Sequence, residues 1–356
     1  MPNRSLAVLL AALVLLAATV TVLMAPRWLP GLGQPKQAEP LALPTLSRIS
    51  TWHNSAPLTP DSLKGHPVAM LVWTDTDPRA LAALGVAEAW YRAYAPYGIR
   101  VIAVHEPEYA FAADTSIAAG IVRKLHLTLP VADDVSGAVE AMIGGVSDGP
   151  HLVVADETGR VEVDTEGAMT PGTRPLTVAA LRMRPGAPLP PEVDTAVPGG
   201  VRTVPLGAGR VESGPLRALS AGHDRVFTAE FRYQESGVAW TPYPVGSWRT
   251  GAEGLTATRG GAANFLAIRY SAGRAGVVVT PPAGGSARLW ILRDDRWPAV
   301  GDRGEDVEVD GRGAASLLVH RPGLYWIDRG KGERVLKISP ESPDLTVNAF
   351  VFTDAH

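Results

Sequence analysis

Cysteine is absent from all 356 residues. That lack removes disulfides, thiolate nucleophiles, iron–sulfur ligation and sulfur-bound zinc together, although it does not identify the compartment. A large excess of charge of either sign is also missing: the net charge of -3 leaves no basic field for nucleic acid. None of the eight histidines shows a close metal-ligand spacing, and no Gly-rich loop precedes a Lys-Ser or Lys-Thr pair, so no metal or cofactor is expected. What is present describes a globular chain: 46% hydrophobic, 19% charged, long enough for about two domains. The 37 glycines and 31 prolines indicate many turns and a sizeable β portion.

Leu6 to Met24 is a run of 19 residues without a charge. As a helix it would span about 28 Å, close to the roughly 30 Å hydrocarbon layer of a bilayer. The following Met24-Ala25-Pro26-Arg27-Trp28 makes a poor cleavage site, so an uncleaved anchor is favoured over a cleaved signal. Arg4 and the terminal amine hold the short end inside, while Arg27 votes the other way. The expectation is a single-pass cytoplasmic (inner) membrane protein, with residues 1–25 as anchor and the bulk extracytoplasmic, on the periplasmic side.

Five prolines between residues 26 and 48 mark an extended tether. Residues 49–169 then alternate strand and helix signals. Val68–Trp73 and Val101–Val104 suit buried strands, and Pro78–Tyr94 reads as a helix with Leu81, Leu84, Ala87, Tyr91 and Tyr94 on one face. Glu88 and Arg92 form an i,i+4 pair. A second helix runs near Ser116–Leu125, and His151–Ala155 pairs with Arg160–Asp164 around the Asp156–Gly159 turn. Strand, helix, strand and hairpin make an α/β layered domain. Residues 170–204 carry seven prolines and read as a second linker, with one helical turn at Val178–Met183. Residues 205–356 carry short strands between Gly, Pro and Asp turns, which argues a β-sandwich.

The α/β segment resembles the extracytoplasmic thioredoxin-like domain of DipZ-type and TlpA-like proteins. The matching pieces are Trp52–Leu58, Leu63-Lys64-Gly65, Trp73-Thr74, Ala89-Trp90-Tyr91, Gly149-Pro150 and, most specific, His105-Glu106-Pro107-Glu108-Tyr109-Ala110-Phe111. The segment from about Phe227 to Asn348–Phe352 resembles the galactose-binding-like, jelly-roll sandwich of the same family. The resemblance implies a mixed sheet with flanking helices, followed by an all-β carbohydrate-binding module.

The chain departs from this family at its chemistry. Where the family places Cys-x-x-Cys, this sequence reads Asp77-Pro78-Arg79-Ala80. With Asp77 and Ala80 at the two thiol positions, neither attack on a disulfide nor resolution of a mixed disulfide is available. Asp-Pro there reads as an N-cap followed by a first-turn proline; a ligand or metal role for Asp75 with Asp77 is the alternative. The resemblance implies that Pro150 is cis, and the backbone of Gly149 and Pro150 could pair with an extended peptide or be inherited geometry without a ligand. His105 reads as a loop support. His126 and Asp133-Asp134 read as a surface loop.

Among the aromatics of the β portion, Trp290 and Trp326 sit in apolar strands and read as core. Trp240, Trp248 and Trp297, near Pro or Gly, are the candidates for a binding surface. The leading function is a redox-inactive, membrane-anchored binding or scaffold module for a glycan or envelope protein, not an enzyme. The rivals are an accessory subunit of an envelope thiol-redox or cytochrome-assembly system, and an enzyme using non-thiol chemistry.

Overall fold

A computed structural model describes residues 43–144, 149–228 and 238–354. The apolar run Leu6–Met24 and most of the first proline-rich tether lie outside them. Among the described residues no helix is long and apolar enough to cross a membrane.

The first lobe carries, in order, β1 (Thr51–His53), α1 (Pro60–Leu63), β2 (Val68–Trp73), α2 (Pro78–Tyr94), β3 (Arg100–His105), α3 (Ser116–Lys124), β4 (Val131–Asp133), α4 (Ala138–Ile143), β5 (His151–Ala155), β6 (Val161–Glu166) and α5 (Thr173–Met183). The strands pair in the order β1-β4-β3-β2-β5-β6. β2, β3 and β4 run parallel, while β5, β6 and β1 join antiparallel. This mixed sheet with flanking helices is the thioredoxin-like topology that the resemblance implies. Every residue of β2 is buried, as a strand covered on both faces requires.

α2 buries Leu84, Ala87, Trp90 and Tyr94 on one face of the sheet, against Leu71, Trp73 and Leu152. Glu88 pairs with Arg92 at 2.8 Å, but it is also buried and accepts from the N–H groups of Thr128 and Leu129 at 2.7 and 3.0 Å. Burial alone would raise its pKa; the bonds from Thr128, Leu129 and Arg92 outweigh this and lower it. The expected i,i+4 pair forms, and its Glu88 also pins the loop ahead of β4.

The proline-rich stretch from residue 170 begins as structure. Instead of one turn at Val178–Met183, α5 has 11 residues and buries Leu176, Ala179 and Ala180 in the core beside α2. Pro175 falls in its first turn, where the missing N–H has no helical partner to lose.

The second lobe is all β: β7 (Arg202–Pro205), β8 (His223–Phe227), β9 (Pro242–Thr250), β10 (Leu255–Ala257), β11 (Phe265–Ser271), β12 (Arg274–Thr280), β13 (Ala287–Arg293), β14 (Glu308–Val309), β15 (Ala315–Val319), β16 (Gly323–Arg329), β17 (Glu333–Pro340) and β18 (Thr346–Thr353). They form one continuous path, β14-β15-β13-β17-β11-β9-β10-β18-β12-β16, with β7 on β18 and β8 on β9. β9 turns the corner: its first half pairs with β11, its second with β10 and β8. Between the halves lies Gly246 at φ +90, where a Cβ would strike Asn264. Two layers result, with Leu266, Ile268, Leu289, Ile291 and Ile338 facing Val277, Val279, Phe350 and Phe352 across one core.

Candidate functional site

At the head of α2, Asp77 is the N-cap and its Oδ1 accepts the Arg79 N–H at 2.7 Å. The Arg79 guanidinium returns to the same carboxylate, Nη2 to Oδ2 at 2.9 Å. Opposite stands Gly149 at φ +98; a Cβ there would lie 3.1 Å from Arg79 Cζ. Asp77, which falls at the first thiol position of the pattern that the chain resembles, is thus tied to Arg79, and Arg79 lies against Gly149. The Gly149–Pro150 bond is trans, which corrects the cis expectation and follows the ordinary preference of X–Pro bonds. The Pro150 carbonyl accepts the Gly167 N–H at 2.7 Å.

Behind this corner, the C-terminal ends of β3 and β4 hold a buried polar chain. His105 Nδ1 lies 3.1 Å from Asp133 Oδ1, and His53 Nε2 lies 2.9 Å from the other oxygen, Oδ2. On its far side His105 Nε2 faces Asp75 Oδ1 at 3.5 Å, beyond normal hydrogen-bond length. The His105 ring also tilts against Trp73, with 4.6 Å between centroids. Burial disfavours the imidazolium, but Asp133 and Asp75 outweigh it and raise the His105 pKa.

One residue along each strand sits a second pair, Glu106 and Asp134. The Glu106 Oε1 accepts the Glu140 N–H at 3.1 Å, and Asp134 Oδ2 accepts that of Val139 at 2.5 Å. Burial first, then the neighbouring Asp134, pushes the Glu106 carboxyl up to about 9. Asp134 stays below the usual carboxylate range despite burial, held by bonds from Val139 and Glu106. One carboxyl keeps its proton so that its neighbour can ionise. Asp133 and Asp134 are therefore interior groups, not the surface loop expected. The signal was their place at the end of an apolar run in parallel register with His105. Among the described residues, no group of three His, Asp or Glu is arranged to hold a metal ion. Asp75 faces His105, whereas Asp77 is spent on Arg79.

The run from Glu106 to Phe111 joins the lobes. Tyr109 is only 1% exposed and packs with Phe111 against Val278, Ala349 and Val351 on the outer face of β12 and β18. The backbone N–H of Ala110 donates to both Glu253 carboxylate oxygens, at 3.0 and 3.1 Å. Arg210 pairs with Glu108 at 3.1 Å and lies over the Tyr109 ring. Thr76 donates to the second Glu108 oxygen at 2.6 Å, tying the joint to the head of α2.

Strand parity redistributes the tryptophans. Along β13 the odd residues Leu289 and Ile291 face the core, so Trp290 points outward, half-buried beneath Arg288. Trp326 likewise lies on the outer face of β16, over Gly276 and under Arg274 at 4.0 Å. Neither is core, because each occupies the opposite phase of its strand. Trp248 reverses the other way: it is fully buried, its indole N–H donating to the Val245 carbonyl at 3.0 Å. Trp240 is partly buried at φ +67, edge-on to Phe352 with Arg202 over its ring. Of the three surface candidates, Trp297 alone is well exposed, at 44%, and meets Trp290 edge-on at 6.1 Å.

No family profile matches the chain. Protein DipZ of Mycobacterium bovis and Protein DipZ of Mycobacterium tuberculosis are each 28% identical over 268 residues, 71% of this chain. The chain spans 36% of the length of these curated relatives. A putative thiol:disulfide interchange protein DsbE from Chlorobium tepidum is 20% identical, with a TM-score of 0.32 over 41% of this chain and 95% of its own. A putative thioredoxin from Neisseria meningitidis is 18% identical, with a TM-score of 0.33 over 43% of this chain and 95% of its own. The resemblance to DipZ read from the motifs stands, and the chain lacks the cysteine that thiol–disulfide interchange requires.

Proposed function

We propose that the chain is a redox-silent binding module, held at the outer face of the cytoplasmic membrane by residues 1–25, whose ligand is taken by the β lobe. The carrying observation is the head of α2. A helix N-terminus that could activate a thiolate is instead occupied by Asp77, locked to Arg79 beside Gly149. The thioredoxin-like lobe then serves as a support to which the β lobe is fastened through Tyr109, Glu108 and Glu253. The outward pair Trp290 and Trp297, beside Arg288, supplies aromatic area of the kind that takes glycans.

The test is paired. The purified chain should leave insulin disulfides intact at any concentration, and a glycan array should show retention on the full chain. Insulin reduction above buffer would overturn the redox-silent part. An empty array, with capture only of proteins, would replace the glycan by a protein partner.

A further inference from the structure

At the seam between the lobes lies a cleft of about 390 Å³. One charged side chain lines it, Glu253, and no lysine, arginine or histidine does. Glu253 is carried there by the turn between β9 and β10, which the Gly251 N–H closes on the Gly254 carbonyl at 2.8 Å. A Cβ on Gly254 would strike the Val347 carbonyl, so the turn lies hard against β18. The Glu253 side chain is half-buried, and both its oxygens accept from one donor, the Ala110 N–H. Among the described residues no lysine or arginine pairs with it. One neutral N–H falls well short of the roughly four acceptor sites of a carboxylate.

Phe111 reaches the same cleft from the other lobe. One face of its ring is covered by Tyr109, at 5.6 Å between centroids, and the rest is left to the cleft. The cation at the joint, Arg210, lies over Tyr109 and is paired with Glu108, so it does not answer Glu253. The floor is a row of threonines: the register sets Thr256 opposite Thr346, and Thr346 opposite Thr280. The Thr256 and Thr346 hydroxyls meet at 2.8 Å, and Thr280 donates to Asn348 Oδ1 at 2.9 Å. Two of the three hydroxyl protons are therefore spent within the floor, which leaves it mainly acceptors to offer.

We infer that this cleft binds a small organic cation of the alkylammonium class, its charge held between the Glu253 carboxylate and the Phe111 ring. The carboxylate supplies the counter-charge, the ring attracts a cation through its quadrupole, and the threonine oxygens face the groups around the nitrogen. An anion would meet Glu253 with nothing to offset the repulsion. A hard metal ion takes six or more oxygens around several charged ligands, and the cleft brings a single carboxylate. A free amine and the lysine side chain of a protein partner share this chemistry, and either would touch both lobes at once. The inference stands apart from the glycan reading. The cleft lies on the layer of β10, β18 and β12, whereas Trp290 stands on β13 in the other layer, so either can fail alone.

The experiment is saturation-transfer NMR on the full chain with choline, n-butylammonium and the capped peptide Gly-Lys-Gly. The neutral isostere of choline, 3,3-dimethylbutan-1-ol, is the ligand control. The variants are Glu253→Gln, which keeps an acceptor for the Ala110 N–H but loses the charge, and Phe111→Leu, which loses the ring. Glu308→Gln, an exposed carboxylate of β14 outside the cleft, is the protein control, and melting temperatures are measured alongside. At least one cation should bind the parent and the isostere should not. Binding should weaken tenfold or more in Glu253→Gln, threefold or more in Phe111→Leu, and stay unchanged in Glu308→Gln. Binding by the peptide alone assigns the site to a protein partner; binding by choline or butylammonium assigns it to a free amine. No binding by any cation, equal binding of the isostere, binding that survives in either cleft variant, or an equal loss in Glu308→Gln overturns the inference. If Glu253→Gln unfolds, Thr280→Lys replaces it: an ammonium built into the cleft must abolish binding, and retained binding in that folded variant overturns the site.

Discussion

The Asp77 carboxylate and the Arg79 guanidinium close on each other at 2.9 Å, at the head of α2. Asp77 caps the helix, and Arg79 both neutralises that charge and covers Gly149. Replacing a carboxylate N-cap by alanine costs about 1 kcal/mol in general. Asp77→Ala should therefore lower stability by about that amount in urea denaturation, and Asp77→Asn should retain most of it. A neutral Asp77→Ala would show that the cap is redundant.

Gly149→Ala should be worse than an ordinary surface change, because it combines φ +98 with a 3.1 Å approach to Arg79. A loss of about 1–3 kcal/mol is expected for such a backbone conflict. Arg79→Ala in the same background should recover the steric share of it, leaving the conformational share. A denaturation cycle over the two sites measures the coupling.

The Glu106 carboxyl has a folded pKa of about 9 against 4.5 in the unfolded chain. Between these values the unfolded chain binds fewer protons, so stability falls as pH rises from about 4.5 to 9, then levels. The full linkage is on the order of 6 kcal/mol as an upper bound. His105 adds to the same slope: its folded pKa is raised, so its contribution is complete below 6.5 and fades as pH climbs through the folded value. Glu106→Gln keeps an acceptor for the Glu140 N–H and a donor for Asp134. It should be more stable than the parent at pH 8, with the gap shrinking toward pH 5, as read from thermal melts in a pH series. Equal melts across the series would mean that Glu106 ionises freely in the fold.

Much of the architecture was legible because hydrophobic period and turn residues agreed. The helix over Pro78–Tyr94 announced itself through Asp-Pro at its start, and Phe265–Tyr270 and Ala287–Leu292 through β-branched and aromatic runs. What escaped depends on contacts distant in sequence. β9, with Pro242 and Pro244, reads as loop, yet it sits where one strand serves two layers. α5 was hidden by Pro175, harmless in a first turn. Trp248 and Trp290 exchanged roles because a one-residue change of phase moves a side chain from core to surface, and composition does not fix phase. The chain His53–Asp133–His105–Asp75 joins residues up to 80 positions apart, brought together only by the β1–β4–β3–β2 order.

The lobe joint yields the next expectation. Tyr109 is buried against a sheet face that would otherwise be exposed. Truncation of a large buried aromatic costs about 3–5 kcal/mol. Tyr109→Ala should therefore loosen the seam, raising the radius of gyration in X-ray scattering and speeding cleavage between residues 184 and 201. Glu253→Ala, which frees the Ala110 N–H alone, should have the same sign and a smaller size. Unchanged scattering in both variants would mean that the lobes are held elsewhere.

The most exacting test of the buried polar chain is Asp133→Asn. Asp133 serves two imidazoles, so the change leaves a buried His105 with Asp75 at 3.5 Å as its nearest counter-charge. Removing one partner of a buried ion pair costs about 3–5 kcal/mol, because the remaining charge stays desolvated. That penalty applies while His105 carries its proton. The variant should therefore lose most stability at acidic pH and progressively less as pH rises through the His105 transition, the reverse of a simple cavity or packing defect. Melts of parent and variant from pH 5 to 9 give the difference directly. A difference that stays constant with pH would mean that the imidazole is neutral throughout and that Asp133 acts only as a hydrogen-bond acceptor.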